Sequence, residues 1–177
     1  MKKLFTVIAL MVSLLAANAA DAKFSDEYKA QHPKRVKITK TISSTGAPVV
    51  STRYKLFNHW LNNGPFELAI MDYNGIKICT ICYGTTGDTP REFTHFSWGD
   101  GNNAHNIQRL SGYCKSIGPD RYSNLIGAMV DPSVLKQAIV ISAHDISLRS
   151  EPIIYESHKR WKEWQQAIDA AEKIMAE

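Results

Sequence analysis

The three cysteines are the first residues whose spacing suggests chemistry. Cys79 and Cys82 form a C-x-x-C motif, and Cys114 is the only other cysteine. A redox-active C-x-x-C places its first thiol at a helix N-terminus, where the helix dipole stabilises the thiolate. Here the motif lies in apolar, β-type sequence and is followed by a glycine- and threonine-rich stretch. We therefore interpret these cysteines as structural.

An odd number of cysteines allows at most one internal disulfide. In a regular strand Cys79 and Cys82 point to opposite faces, so they cannot bond to each other. We expect the pair Cys82–Cys114, because Cys79 belongs to an apolar face where a free thiol behaves as a small hydrophobic group. One C-x-x-C without a second close pair of ligands is not typical of a zinc site. The sequence thus predicts neither a metal nor a cofactor.

Three histidines and two aspartates are the candidates for catalysis: His95, His105, His144, Asp100 and Asp145. If the glycine-rich segment folds over the end of the strand that carries His144, two or three imidazoles and a carboxylate could hold a metal or activate a nucleophile. No motif such as H-E-x-x-H fixes their spacing, and the sequence around Asp100 is more typical of a turn. An enzyme and a binding protein are both compatible with these residues.

Residues 84–103 are the candidate contact region. This segment contains four glycines and a proline without a long apolar period, which predicts a long loop, and such loops often carry function. Tyr83, Phe96, Trp98 and Asp100 lie in or beside it. If exposed, the aromatic side chains would form a recognition surface.

Several other functional classes lack their sequence signals. There is no G-x-S-x-G motif of a serine hydrolase, and the glycines do not fit a phosphate-binding G-x-x-x-x-G-K loop. Without its first 22 residues the chain has a net charge of about +3, which is too low to indicate nucleic-acid binding. The basic residues of 34–40 alternate with Val36 and Ile38, as on a solvated strand face.

A β-hairpin over residues 66–83 is the clearest structural prediction. Asn74-Gly75 separates two apolar runs and is typical of a two-residue type I′ turn. This turn fixes the register, so that Asp72 pairs with Lys77. The same register places six apolar side chains on one face, namely Phe66, Leu68, Ile70, Cys79, Ile81 and Tyr83.

Alternation and helical periodicity predict the remaining elements. We expect an exposed hairpin (35–43 and 49–57), helices over 103–118 and 122–129, a short helical turn (132–137), a central strand (138–150), an edge strand (153–155) and a helix over 156–177. The order of these elements predicts an α+β fold, with a mainly antiparallel sheet and a C-terminal amphipathic helix packed on it.

The N-terminus has the features of a secretory signal peptide. Lys2 and Lys3 precede an apolar run over 4–17, and small residues follow up to Ala22. We expect a signal peptide (1–22), an N-terminal arm (23–34) and a single domain (35–177). No later stretch is apolar enough for a transmembrane segment. These features predict a bacterial protein that is periplasmic or secreted, and they do not indicate an oligomeric state.

Together these patterns favour an exported binding or accessory protein. It would recognise a protein or a small ligand, but no nucleic acid, through residues 84–103. The alternative is a small hydrolase, metal-dependent or with a cysteine nucleophile, that uses His95, His105 and His144.

Overall fold

The computed structural model describes residues 36–56, 63–73 and 75–177. The predicted signal peptide and N-terminal arm lie outside the described residues. The strands are β1 (Val36–Ile42), β2 (Pro48–Lys55), β3 (Asn63–Tyr73), β4 (Ile76–Gly87), β5 (Phe93–Gly99), β6 (Ala104–Gln108), β7 (Ser111–Gly118), β8 (Arg121–Met129), β9 (Val140–Asp145) and β10 (Ser150–Tyr155). The helices are α1 (Pro132–Leu135) and α2 (Trp161–Ala176).

The strands form two sheets in which neighbouring strands are antiparallel. The six-stranded sheet has the order β1-β2-β3-β4-β8-β7, and the four-stranded sheet has the order β10-β9-β5-β6. The fold is therefore mainly antiparallel β-structure with a C-terminal helix, in agreement with the predicted class at this level. No helix in the described part of the chain is both long and apolar enough to cross a bilayer.

The register of the central hairpin is confirmed. Tyr73 pairs with Ile76 and Asp72 with Lys77, and the pairing continues without a shift to Phe66 and Tyr83. Gly75 has a φ of 86°, and its amide donates to Asp72 Oδ1 over 2.8 Å. Asn74 itself lies outside the described residues. All six predicted apolar side chains are buried, because alternation places them on the same face.

One hydrophobic core joins both sheets and α2. The Tyr83 ring of β4 lies 5.7 Å from the Phe93 ring of β5, which links the two sheets. Phe96, Ile141 and Ala143 of the four-stranded sheet belong to the same buried cluster. The apolar face of the central hairpin is thus the surface on which the rest of the domain is assembled.

The predicted loop at 84–103 is wrong in conformation. β4 continues to Gly87 and β5 covers Phe93–Gly99, so only short connections at 88–92 and 100–103 remain. The segment has no long apolar run, but Phe96 and Trp98 are buried at alternate positions of the strand, and an irregularity between Phe93 and His95 brings Phe93 to the same buried side. The sequence predicted a loop because of its glycines, although the spacing of Phe96 and Trp98 fits a strand.

The helices predicted over 103–118 and 122–129 are also wrong, since these residues form β6, β7 and β8. In β8 the buried residues Asn124, Ile126 and Ala128 recur at every second position. The few apolar residues here fit both a helical and a strand period. This segment is a strand because β8 pairs with β4 and β7.

Most other elements follow the sequence prediction. β1 and β2 form the expected hairpin, and β9 lies inside the four-stranded sheet, with β10 at its edge. Asp131 caps α1 by accepting from the amide of Ser133. The predicted continuation of β9 to Ser150 is wrong, because the chain turns after Asp145.

The predicted disulfide is wrong as well, because Cys79, Cys82 and Cys114 are all free thiols. Cys82 lies opposite Gly127, whereas Cys114 lies opposite Asn124. Since these two positions of β8 are three residues apart, Cys82 and Cys114 lie on opposite faces of the sheet. They are also two strands apart, roughly 10 Å, which a disulfide cannot span.

We predict that thiol titration of the mature protein, denatured without reductant, finds three free thiols per chain. In the native protein Cys79 and Cys82 should react slowly, because burial raises the pKa of both thiols to about 12. A count of one thiol under denaturing conditions would restore the disulfide and contradict the sheet register.

Candidate ligand-binding cleft

A cleft of about 610 Å³ opens where one end of the six-stranded sheet meets the β9–β10 turn. We call it the Arg91 cleft. Its wall consists of the last residues of β4, the connection to β5, one residue of β8 and the start of β10. The residues that line it are Thr85, Thr86, Gly87, Asp88, Thr89, Arg91, Asn124, Arg149, Ser150 and Glu151.

Asn124 fixes the connection between β4 and β5. Its side chain is only 2% exposed, although it lies in an otherwise apolar part of β8. Asn124 Oδ1 accepts from the backbone amide of Arg91 over 3.0 Å, and its Nδ2 donates to Thr85 Oγ1 over 3.3 Å. Because a buried amide is costly unless it is hydrogen-bonded, this pair of bonds anchors Arg91 at the base of the cleft.

The Arg91 guanidinium contacts two carboxylates. Its Nε lies 3.0 Å from Asp145 Oδ2, and its Nη1 donates to the carboxylate of Glu151. The Phe93 ring lies beneath it, with 5.0 Å between the guanidinium carbon and the ring centroid. Tyr83 Oη donates to the other Glu151 oxygen over 2.9 Å. The network therefore joins β4, the β4–β5 connection, β9 and β10.

The protonation states in this network are set by burial and pairing. Burial alone would raise the pKa of Asp145, but hydrogen bonds from Arg91 and from the amides of Arg149 and Ser147 bring it below the ordinary value. Burial would lower the pKa of Arg91, and its bonds to Glu151 and Asp145 raise it overall. Burial and the Glu151 charge raise the pKa of Tyr83. The network thus pairs the Arg91 cation with the carboxylates of Asp145 and Glu151, beside a neutral Tyr83 phenol.

The open side of the cleft carries groups that this network does not use. Asp88 and Arg149 are exposed and form no ion pair within the described chain. No described residue accepts a hydrogen bond from Nη2 of Arg91. Three threonines, at positions 85, 86 and 89, line the same cleft; the Thr85 hydroxyl accepts from Asn124, and the Thr89 hydroxyl donates to Asp88 over 3.1 Å. A ligand would meet charges of both signs together with hydrogen-bond donors and acceptors.

Two turns with unusual backbone conformation border this region. Asp120 and Leu148 are the residues other than glycine with positive φ in the described ranges, at 51° and 61°. Asp120 and Arg121 line a smaller hollow of about 420 Å³ that shares Thr86, Gly87 and Asp88 with the Arg91 cleft. Leu148 directly precedes Arg149 and is 93% exposed. A bulky side chain such as that of Leu148 at positive φ costs roughly 1–2 kcal/mol. Residues with strained backbone are often found at functional sites.

The histidines predicted as catalytic do not all converge. His95 and His144 stack with 4.4 Å between ring centroids. His105 stacks on Trp98, on the other face of the four-stranded sheet. The Asp145 carboxylate contacts Arg91 rather than an imidazole. The structure therefore brings together two of the three histidines and separates them from Asp145.

The predicted binding residues are mostly inside the protein. Tyr83, Phe96 and Trp98 are buried in the core, so their rings offer no open surface. Asp100 stabilises the β5–β6 turn, where its Oδ1 accepts from the amides of Asn103 and Asn102 at 2.7 and 2.8 Å. These bonds, with a further one from His105, lower the pKa of Asp100 to about 2. Only Tyr83 contacts the cleft network, through its hydroxyl.

Sequence reasoning missed Arg91, Asn124, Arg149 and Glu151. The single local signal was an asparagine within the apolar part of β8, because a buried amide requires partners. Arg91 and Glu151 are far apart in sequence and carry no motif. Comparisons of the chain with protein-family models, with curated proteins and with solved structures find no match.

We predict that Asp145→Ala lowers the free energy of unfolding at pH 7 by about 3 kcal/mol, because it leaves buried Arg91 half-paired. The pKa of Asp145 is lowered in the folded state, so this stabilisation exists above the ordinary aspartate value of about 4 and is lost as the pH falls through the folded value. Urea unfolding measured from pH 7 to pH 2 should therefore show that the difference in free energy of unfolding between wild type and variant decreases as the pH falls.

Asp88→Ala is the matched control, since this aspartate is exposed on the same cleft. It should change stability by less than about 0.5 kcal/mol. Equal effects of the two substitutions would contradict a buried role for Asp145.

Proposed function

We propose that the mature chain is an exported binding protein, periplasmic or secreted, and that the Arg91 cleft takes a short free peptide. The observation that carries this proposal is a polar cleft whose wall presents unpaired Asp88 and Arg149 above a base of paired charges. A zwitterionic ligand satisfies both signs at once. The volume of about 610 Å³ lies within the usual range for small-ligand sites.

The hydrogen-bonding groups of the cleft and the apolar side chains at its edge also suit a peptide. Peptide groups are both donors and acceptors, which suits the hydroxyls of Thr85, Thr86 and Thr89. A peptide carboxylate could accept from Arg149 and from Nη2 of Arg91 in charge-assisted bonds. Ile146 and Leu148, both exposed in the β9–β10 turn, offer apolar contact to a peptide side chain at the rim.

The proposed contact region is only part of the segment 84–103 that the sequence predicted. Its first part, from Thr85 to Arg91, supplies six of the residues that line the cleft. The later part, including Phe96 and Trp98, serves the core. Binding would thus involve polar side chains and not the aromatic rings.

We further propose that α2 is an amphipathic helix packed on the six-stranded sheet. Its buried residues Trp164, Ala167, Ile168 and Ala171 recur at helical spacing. The Trp164 ring lies 4.8 Å from the Phe66 ring of β3. By covering the central hairpin, the helix would hold β4, and with it Thr85 and Thr86, in a fixed position.

The hydrolase alternative has less support. His105 lies on the other face of the sheet from His95 and His144. Burial raises the pKa of Cys79 and Cys82 to about 12, which disfavours a thiolate nucleophile at neutral pH.

We predict that isothermal titration calorimetry of the mature chain with a library of unmodified di- and tripeptides detects saturable binding. Arg149→Gln and Asp88→Asn should each weaken it at least tenfold, because each removes one charge that pairs with the zwitterion. Blocking either end of the peptide, by acetylation or amidation, should weaken binding of wild type in the same way.

Lys162→Gln, an exposed change on α2, is the matched control for charge removal and should leave affinity unchanged. Binding that is indifferent to blocked termini, or equal in Arg149→Gln and Lys162→Gln, would refute the proposed cleft function.

A further inference from the structure

A pair of histidines lies on the outer face of the four-stranded sheet, where His144 pairs across the strands with Ser150 at the margin of the Arg91 cleft. His95 of β5 and His144 of β9 are directly opposite each other. Their rings are parallel within 3°, with 4.4 Å between centroids. Directly opposed residues of antiparallel strands have Cβ atoms about 5 Å apart, so the strand register fixes this approach.

Thr94 lies beside the ring of His95. Its Oγ1 is 3.2 Å from the backbone oxygen of His144 and 2.9 Å from His95 Nδ1. When the single hydroxyl proton is donated to the backbone oxygen, Nδ1 of His95 carries a proton and donates to Thr94. In that tautomer the lone pair of the ring is on Nε2, which has no hydrogen-bond partner among the described residues.

His144 is held in a similar way. Its Nε2 lies 2.7 Å from Ser97 Oγ, and its Nδ1 has no hydrogen-bond partner within the described ranges. Metal-ligating histidines usually have one ring nitrogen bound to an orienting group while the other faces the ion. In both rings one nitrogen lies beside a hydroxyl and the other has no hydrogen-bond partner among the described residues.

The surroundings of the pair suit a cation. The residues paired across the strands on this face are Ser97, Ser142, Asn106 and Gln108, which are uncharged and carry oxygen atoms.

The stacked arrangement has to change before one ion can bind both rings. The lone pair of an imidazole nitrogen lies in the plane of its ring, and the two planes are parallel within 3°, so the lone pairs do not converge on one point. The rings are close, with 4.4 Å between centroids. Rotation about the Cβ–Cγ bond, which is broadly allowed for histidine, turns the nitrogens toward a shared ion and exchanges a hydrogen bond to Thr94 or Ser97 for a metal bond.

We propose that His95 and His144 form a binding site for one divalent transition-metal ion such as Zn²⁺ or Cu²⁺. Imidazole nitrogen selects this class over Mg²⁺ and Ca²⁺, which prefer oxygen ligands. The described residues contain no group of three or more His, Cys, Asp or Glu side chains placed to hold a metal. The site therefore has two protein nitrogens, and water or the neighbouring side-chain oxygens complete its coordination.

Calorimetric titration of the metal-free mature chain with ZnCl₂ tests this site. We expect one saturable site in wild type, and at least tenfold weaker binding in His95→Gln and in His144→Gln. His105→Gln is the matched control, since His105 is a ring-stacked histidine on the opposite face of the same sheet. This variant should bind as wild type does, and MgCl₂ should give no saturable heat.

Nuclear magnetic resonance of the imidazole nitrogens in wild type gives a readout that does not require any variant to fold. Zn²⁺ should shift Nε2 of His95 and Nδ1 of His144, and leave both nitrogens of His105 unchanged. The proposal is overturned if wild type shows no saturable site, if binding persists in the double variant His95→Gln/His144→Gln, or if the shifted nitrogens belong to other histidines.

Discussion

The ion pairs of Arg91 with Asp145 and Glu151 are the interaction on which the cleft depends. The guanidinium is mostly buried, and Asp145 is 4% exposed. Removing such charges from water costs several kcal/mol for each ion, so the arrangement is stable only when all partners are in place. Because the partners belong to different strands, the network fixes the edge where the two sheets meet.

This constraint separates two kinds of charged residue around the cleft. Arg91, Asp145 and Glu151 neutralise one another and are held by Asn124 and Tyr83. They form a base in which each charged group has a partner. Asp88 and Arg149, which are exposed above them, have no ionic partner among the described residues and are available to a ligand. A preorganised base lowers the entropy that ligand binding would otherwise lose.

The sequence predicted the fold well where a local sequence pattern matched the strand pairing or the packing of the folded chain. Asn74-Gly75 and strict alternation fixed the register from Phe66 to Tyr83, and the stripe of Trp164 and Ile168 indicated the last helix. The prediction failed over residues 84–129, where sparse apolar residues fit both a helical and a strand period. Only pairing between distant strands decides such cases. The Cys82–Cys114 disulfide failed for the same reason, since β7 and β8 were taken as helices.

The site was harder to predict than the fold. The Arg91 network and the His95–His144 pair both arise from strand pairing across long stretches of sequence. No spacing rule within a strand indicates that His95 faces His144 and not His105. Asn124 is a buried polar residue at the start of the apolar half of β8, and its amide oxygen anchors Arg91.

A double-mutant cycle on Arg91 and Glu151 tests the central role of this network most directly. The free energies of unfolding of wild type, Arg91→Met, Glu151→Gln and the double variant would be measured by urea unfolding at pH 7. A partly buried, hydrogen-bonded ion pair predicts a coupling energy of about 2 kcal/mol, with the double variant more stable than the sum of the single effects implies. A coupling below about 0.5 kcal/mol, as for a solvent-exposed pair, would contradict this account of the cleft.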